Sequence, residues 1–147
     1  MFRTIVVGTD GSETAGKAVA QAAELARSVD ATLLIVSAFE PVSGTRLREE
    51  AEQAPDDVRW MVNPREDVDG TLQSAVEVAE ELGVASRTFA RQGDPADAIL
   101  DVAEEQGADL IVVGNKGMTG AKRFLLGSVP NKVSHHAACS VLIIRTS

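Results

Sequence analysis

The chain has 147 residues, 44% hydrophobic and 24% charged, with a net charge of −8, which fits one compact domain over residues 1–147 and excludes a disordered polymer. No apolar run approaches the ~18 residues of a membrane-spanning helix, and an acidic chain with 3% aromatic residues argues against base-stacking modules and nonspecific nucleic-acid binding. The N-terminus turns polar at Thr9 before a signal-peptide core could complete, and the one cysteine, Cys139, has no internal partner, so the expectation is a cytoplasmic protein with neither export signal nor membrane partner.

Thr4 to Gly8 (TIVVG) is a β-branched run closed by glycine, and Ala15, Val19, Ala22, Leu25, Ala26 and Val29 then recur at helical spacing. Ala31 to Phe39 (ATLLIVSAF) predicts a second strand, apolar on both faces as in a parallel sheet covered by helices on both sides. Glu40 to Pro64 is polar, holds Pro41, Gly44, Pro55 and Trp60, and predicts an excursion with little regular structure. Val68, Leu72, Ala75, Val76, Ala79 and Leu82 share one helical face, with Gly83 placed to close the helix in a left-handed conformation.

A third strand is predicted from about Ala85 to Gln92. Asp94-Pro95 then reads as an N-cap followed by proline at the first helical position, opening a helix that runs to Gly107. Leu110 to Gly114 (LIVVG) predicts a fourth strand, Ser128 to His136 a helix, and Ser140 to Arg145 (SVLIIR) a fifth strand. Strands alternating with helices define an α/β class with a parallel, Rossmann-like sheet and right-handed crossovers.

The charge is unevenly distributed. Nine acids stand against four arginines from Glu40 to Asp69, whereas no acidic side chain follows Asp109 and Lys116, Lys122, Arg123, Lys132 and Arg145 remain. The cationic third overlaps the sharpest motif: Gly114, Gly117 and Gly127-Ser128 are spaced G-x2-G-x9-G-S. Glycines admit close backbone approach, a helix N-terminus presents unpaired amides, and Ser128 adds a hydroxyl, which together suit a phosphate with Lys116 supplying charge. The structural alternative takes Gly114 as a turn and Ser128 as an ordinary N-cap. The first strand ends in Gly8-Thr9-Asp10-Gly11-Ser12, where Asp10 either caps the turn or accepts from ribose hydroxyls or holds a metal. If strands one and four are neighbours at a topological switch point, both segments face one crevice. Neither G-x4-G-K-[ST] nor G-x-G-x-x-G occurs in place, so Walker-type NTPases and dinucleotide dehydrogenases are unsupported.

The segments IVVGTDGSETA (5–15), GDPADAILDVAEEQGADLIVVGNKG (93–117) and RFLLGSVPNKVSHHAACSVLIIR (123–145) resemble the universal stress protein family, and the glycine spacing resembles its ATP-binding branch. The resemblance implies a five-stranded sheet of order 3-2-1-4-5, an adenine nucleotide at the switch point and a homodimer. It also implies that Asp10 contacts the ribose or a metal such as Mg2+, that Thr9 belongs to the nucleotide site, that the backbone near Val36 recognises adenine, and that Gly114 borders the ribose. Gly117, Gly127, Ser128 and Val129 would surround the phosphates. The segment 40–65 matches poorly, and no role is assigned to it.

His135 and His136 sit where a helix C-terminus is predicted, a position that favours a structural role, and Cys139 reads as a small core residue. With no general base in evidence, the expectation is a regulatory, ATP-binding stress protein; a slow ATPase and a sensor of cyclic AMP or AMP are the alternatives. Val141 and Ile143 alternate with Leu142 and Ile144, so both faces of the fifth strand call for burial, which at a sheet edge suits a homodimer with antiparallel fifth strands.

Overall fold

A computed structural model describes residues 2–39, 65–115 and 126–146. In chain order the described elements are β1 (Thr4–Gly8), α1 (Glu13–Val29), β2 (Thr32–Phe39), α2 (Arg65–Glu81), β3 (Ser86–Gln92), α3 (Pro95–Glu105), β4 (Leu110–Gly114), α4 (Ser128–His136) and β5 (Ser140–Ile144). The strands form one sheet of order β3-β2-β1-β4-β5, parallel throughout. The predicted excursion from Glu40 to Pro64, and Lys116, Gly117, Lys122 and Arg123 of the cationic loop, lie outside the described residues.

The β-branched runs are central because they are apolar on both sides. Ile5, Val7, Leu33, Ile35, Leu110 and Val112 pack against α1 and α2, while Val6, Leu34, Val36, Ile111 and Val113 pack against α3 and Val133 of α4. Small residues let α1 sit close to the sheet, since Ala18, Ala22, Ala23 and Ala26 are all buried. The Ser12 side chain caps α1 by accepting from Ala15 N–H at 3.1 Å, and Gly83 ends α2 with φ +70°. The Asp94 carboxylate accepts from Asp97 N–H at 3.0 Å, with Pro95 at the first helical position.

Two strand ends move from their predicted places for visible reasons. Ala31 precedes β2 because its N–H bonds to Ala26 O and so still belongs to the closing turn of α1. Arg145 falls outside β5 because Ile144 O accepts the last donor from beside β4, Asn115 N–H, and the next amide, that of Thr146, turns to the Asn115 side chain. On β5, Leu142 and Ile143 are each 38% exposed, one on each face of the strand, so the burial both faces call for is not met within one chain.

The connections after β1 and β2 run through helices on one face, and those after β3 and β4 through helices on the other. The reversal falls between β1 and β4, which are neighbours. This is the switch point, and it leaves a crevice beyond the carboxyl ends of both strands.

Candidate functional site

Beyond Gly8, Thr9 N–H still reaches Val36 O at 2.9 Å, and the chain then turns sharply. Thr9 Oγ1 accepts Gly11 N–H at 3.2 Å and Asp10 Oδ1 accepts Ser12 N–H at 2.9 Å. Gly11 adopts φ +85°, a conformation that L side chains rarely enter, and its missing Cβ would stand 2.7 Å from Thr71 Oγ1. One oxygen of Asp10 therefore fixes the turn, as its structural alternative requires. The second accepts from no described residue, and Asp10 lines the crevice. The two roles considered for Asp10 are compatible because they use different oxygens.

The opposite side is built by the end of β4 and the start of α4. Asn115 C=O accepts Gly127 N–H at 3.0 Å, and Gly127 C=O accepts Asn131 N–H at 3.0 Å. Pro130 has no N–H, so Ser128 and Val129 carry the amides of this helix start that find no backbone partner among the described residues. Gly127, not Ser128, is the N-cap; no described side chain caps the helix, and its first turn holds no acid. The reading of Ser128 as an ordinary N-cap therefore fails: Ser128 is already the first helical residue.

Between these two walls lies a crevice partly open to solvent, a concave, mostly apolar setting of the kind small-molecule sites use. Thr14, Ala15 and Ala18 of α1 line one side, Pro95 and Ile99 of α3 with Val129 and Pro130 of α4 the other, and Gly8 and Gly114 the floor. Val36 and Ala38 close the back. The walls are chiefly apolar, and the polar groups gather at the strand ends.

Val36, the predicted adenine contact, lines the crevice, but its carbonyl already accepts Thr9 N–H. The same side of β2 has a second pair of backbone groups. Thr32 N–H and Val36 C=O bond toward β1, while Leu33 N–H and Phe39 C=O bond toward β3 and Gly93. By this alternation Ala38 presents its N–H and C=O on the β1 side, and β1 ends opposite Val36. Ala38 thus offers a donor and an acceptor where no described strand continues. Residue type gives no hint of this, because the signal is a difference in strand length.

Lys132 is not available to the crevice. Its ammonium lies 2.9 Å from Asp97 and 3.4 Å from Asp94, and the Asp97 carboxylate above all holds it higher than an ordinary lysine. His135 Nδ1 lies 2.7 Å from Asn131 O on an exposed surface, in keeping with a structural role at the helix C-terminus. Burial and the Asp109 charge push the Cys139 thiol above its usual value. A thiol so disposed is a poor nucleophile at neutral pH. Among the described residues no cluster of three or more His, Cys, Asp or Glu side chains is placed to hold a metal ion.

The chain belongs to the universal stress protein family, whose profile matches residues 1–145. It is 37% identical over 150 residues to universal stress protein YxiE of Bacillus subtilis, covering 99% of this chain and 100% of the relative. It is 39% identical over 152 residues to universal stress protein Rv1636 of Mycobacterium tuberculosis, covering 99% and 98%. Among solved structures, a universal stress protein in complex with cAMP superimposes with a TM-score of 0.74 at 32% identity, covering 99% of this chain and 98% of that one. The universal stress protein from Archaeoglobus fulgidus in complex with dAMP gives 0.70 at 25% identity, covering 98% of both chains. No described helix is long and apolar enough to cross a membrane.

Proposed function

We propose that residues 1–147 form a single adenine-nucleotide-binding domain of the ATP-binding branch, acting as a cytoplasmic regulatory protein in stress response and not as a catalyst. One observation carries this reading: Val129 at the start of α4, Asp10 with an oxygen that no described residue uses, and Ala38 with a backbone edge that no described strand pairs all line one apolar crevice. The base would lie between the apolar walls and hydrogen-bond to the Ala38 backbone beside Val36. Thr9, Asp10 and Gly114 would flank the ribose, and the helix start at Gly127 would take a phosphate, which its uncompensated dipole favours. Lys116 and Gly117 belong to the same phosphate site by the glycine spacing, with Mg2+ at Asp10 when a polyphosphate is bound.

The relatives in complex with cAMP and dAMP support an adenine nucleotide. Cyclic AMP is the second reading, favoured by the absence of cations among the described residues lining the crevice. We also propose a homodimer through antiparallel β5 edges, on the strength of the exposed Leu142 and Ile143.

Mass spectrometry of ligand released from gently purified protein, followed by calorimetry with ATP, AMP, cyclic AMP and adenosine, tests the assignment. ATP binding most tightly is the expected result. Tighter cyclic AMP binding would replace ATP by the second reading, and no binding of any of the four at millimolar concentration would overturn the site.

A further inference from the structure

Thr146 is 3% exposed although it follows an edge strand at the very end of the described chain. Its burial has a polar cause. Asn115 Oδ1 accepts both Thr146 N–H at 2.9 Å and Thr146 Oγ1 at 3.2 Å. Thr146 C=O accepts from the Lys17 ammonium of α1 at 3.3 Å. The residue after β5 is thus fastened to the end of β4 and to the helix that walls the crevice.

Asn115 is held from several directions at once. Its N–H donates to Ile144 O at 2.8 Å, its side-chain oxygen receives Thr146, and its C=O receives Gly127 N–H at 3.0 Å. The last of these bonds sets the start of α4 against the end of β4. Freed from Thr146, the Asn115 side chain would leave its own peptide to find the position in which that carbonyl meets Gly127. The amides of Ser128 and Val129 lie one and two residues beyond Gly127, so a small change at Asn115 re-aims both.

We propose that Asn115 and Thr146 are positioning residues for the phosphate end of the nucleotide site: Thr146 locks the Asn115 side chain, and the Asn115 carbonyl thereby places the α4 amides at the crevice. The inference rests on the nucleotide reading given above and adds to it a part of the chain remote in sequence from both glycine motifs. Neither residue touches the base in this arrangement. Recognition of the base and recognition of the phosphate are therefore separable, which distinguishes a positioning role from a purely structural one. Hydrogen bonds from fixed amides to an ionised phosphate lose strength steeply with misalignment, so the phosphate-dependent part of the affinity is the part that changes.

The test measures ATP and adenosine affinity by calorimetry on the full chain, for wild type, Asn115→Ala, Thr146→Val and Thr146→Ser. Asn115→Ala is expected to weaken ATP about tenfold or more while adenosine stays within about twofold. Thr146→Val, which keeps the N–H and loses the hydroxyl, is expected to weaken ATP by a smaller factor, and Thr146→Ser to restore it. Should Asn115→Ala fail to fold, the Thr146 pair carries the comparison. Equal losses of ATP and adenosine, or unchanged ATP affinity in folded variants, would overturn the positioning role and leave the nucleotide reading standing. A wild-type protein that binds neither ligand would overturn the nucleotide reading, and the positioning role with it.

Discussion

Gly8 ends β1 directly beneath Ile99 of α3, whose Cδ1 occupies the space that a Cβ on Gly8 would need. Ile99 is 3% exposed and packed within the core on that face, so it has little room to withdraw. Gly8→Ala is expected to destabilise by ~1–3 kcal/mol through overpacking and to narrow the crevice that both residues line. Ile99→Val removes the obstructing methyl, so the double variant should be less destabilised than the two single effects together. Urea unfolding of the four proteins measures the coupling; strict additivity would contradict the contact.

Asp10 divides its oxygens between the turn and the crevice, which makes its two roles separable by mutation. Asp10→Asn retains an acceptor for Ser12 N–H and loses the charge, so stability should hold while nucleotide affinity falls. Asp10→Ala should lose both, with about 1 kcal/mol of stability for the hydrogen bond. Thermal unfolding and calorimetry on the same samples check the pair, and an Asn variant with undiminished affinity would reduce Asp10 to its turn.

Much of this architecture is legible from residue pattern alone, for a physical reason: β1 and β4 are short apolar runs ended by glycine, and Asp94-Pro95 is a cap whose chemistry is local. The features that escape such reading depend on what is opposite. The Ala38 backbone matters because β1 stops beside Val36, and Thr146 matters because Asn115 stands near it in space. Lys132 shows the converse error. It stands among residues free of acids along the chain, yet Asp94 and Asp97 reach it from a neighbouring helix. Charge read along the chain cannot register a partner supplied by packing.

Asp109 ties the beginnings of β1 and β4 together by accepting from Arg3 N–H at 2.9 Å and Thr4 N–H at 3.1 Å. Partial burial pushes its pKa up, but these bonds outweigh it and hold the carboxyl below its usual value. The folded state therefore gains stability above the unfolded pKa of about 3.9 and loses it as pH falls through the lower, folded value. Asp109→Asn should cost about 1 kcal/mol near neutral pH, and the difference from wild type should shrink as the solution is acidified. Denaturant unfolding at about pH 7 and about pH 3 compares the two; a constant difference would place the effect elsewhere than in the charge.

Ile143 permits a clean test of the edge. Ile144 C=O bonds toward β4 through Asn115 N–H, so by alternation the Ile143 N–H points away from the sheet. Ile143→Pro removes an outward donor and leaves the ladder to β4 intact. Sedimentation at micromolar concentration should show a wild-type dimer and a folded, monomeric proline variant. A wild-type protein that stays monomeric with and without nucleotide would remove the basis for β5 pairing.

The eight residues of β2 against the five of β1 also bear on how selectivity could be altered. A ligand edge that pairs with Ala38 is read by main chain, in the way that another strand would be. Exchanging the side chain at position 38 leaves that donor and acceptor in place, so point substitutions there are a poor route to a new base preference. The instruction lies in where one strand stops relative to its neighbour. Changing it calls for an insertion or deletion that shifts the stopping point, a rarer event than substitution and one that disturbs the sheet as it occurs.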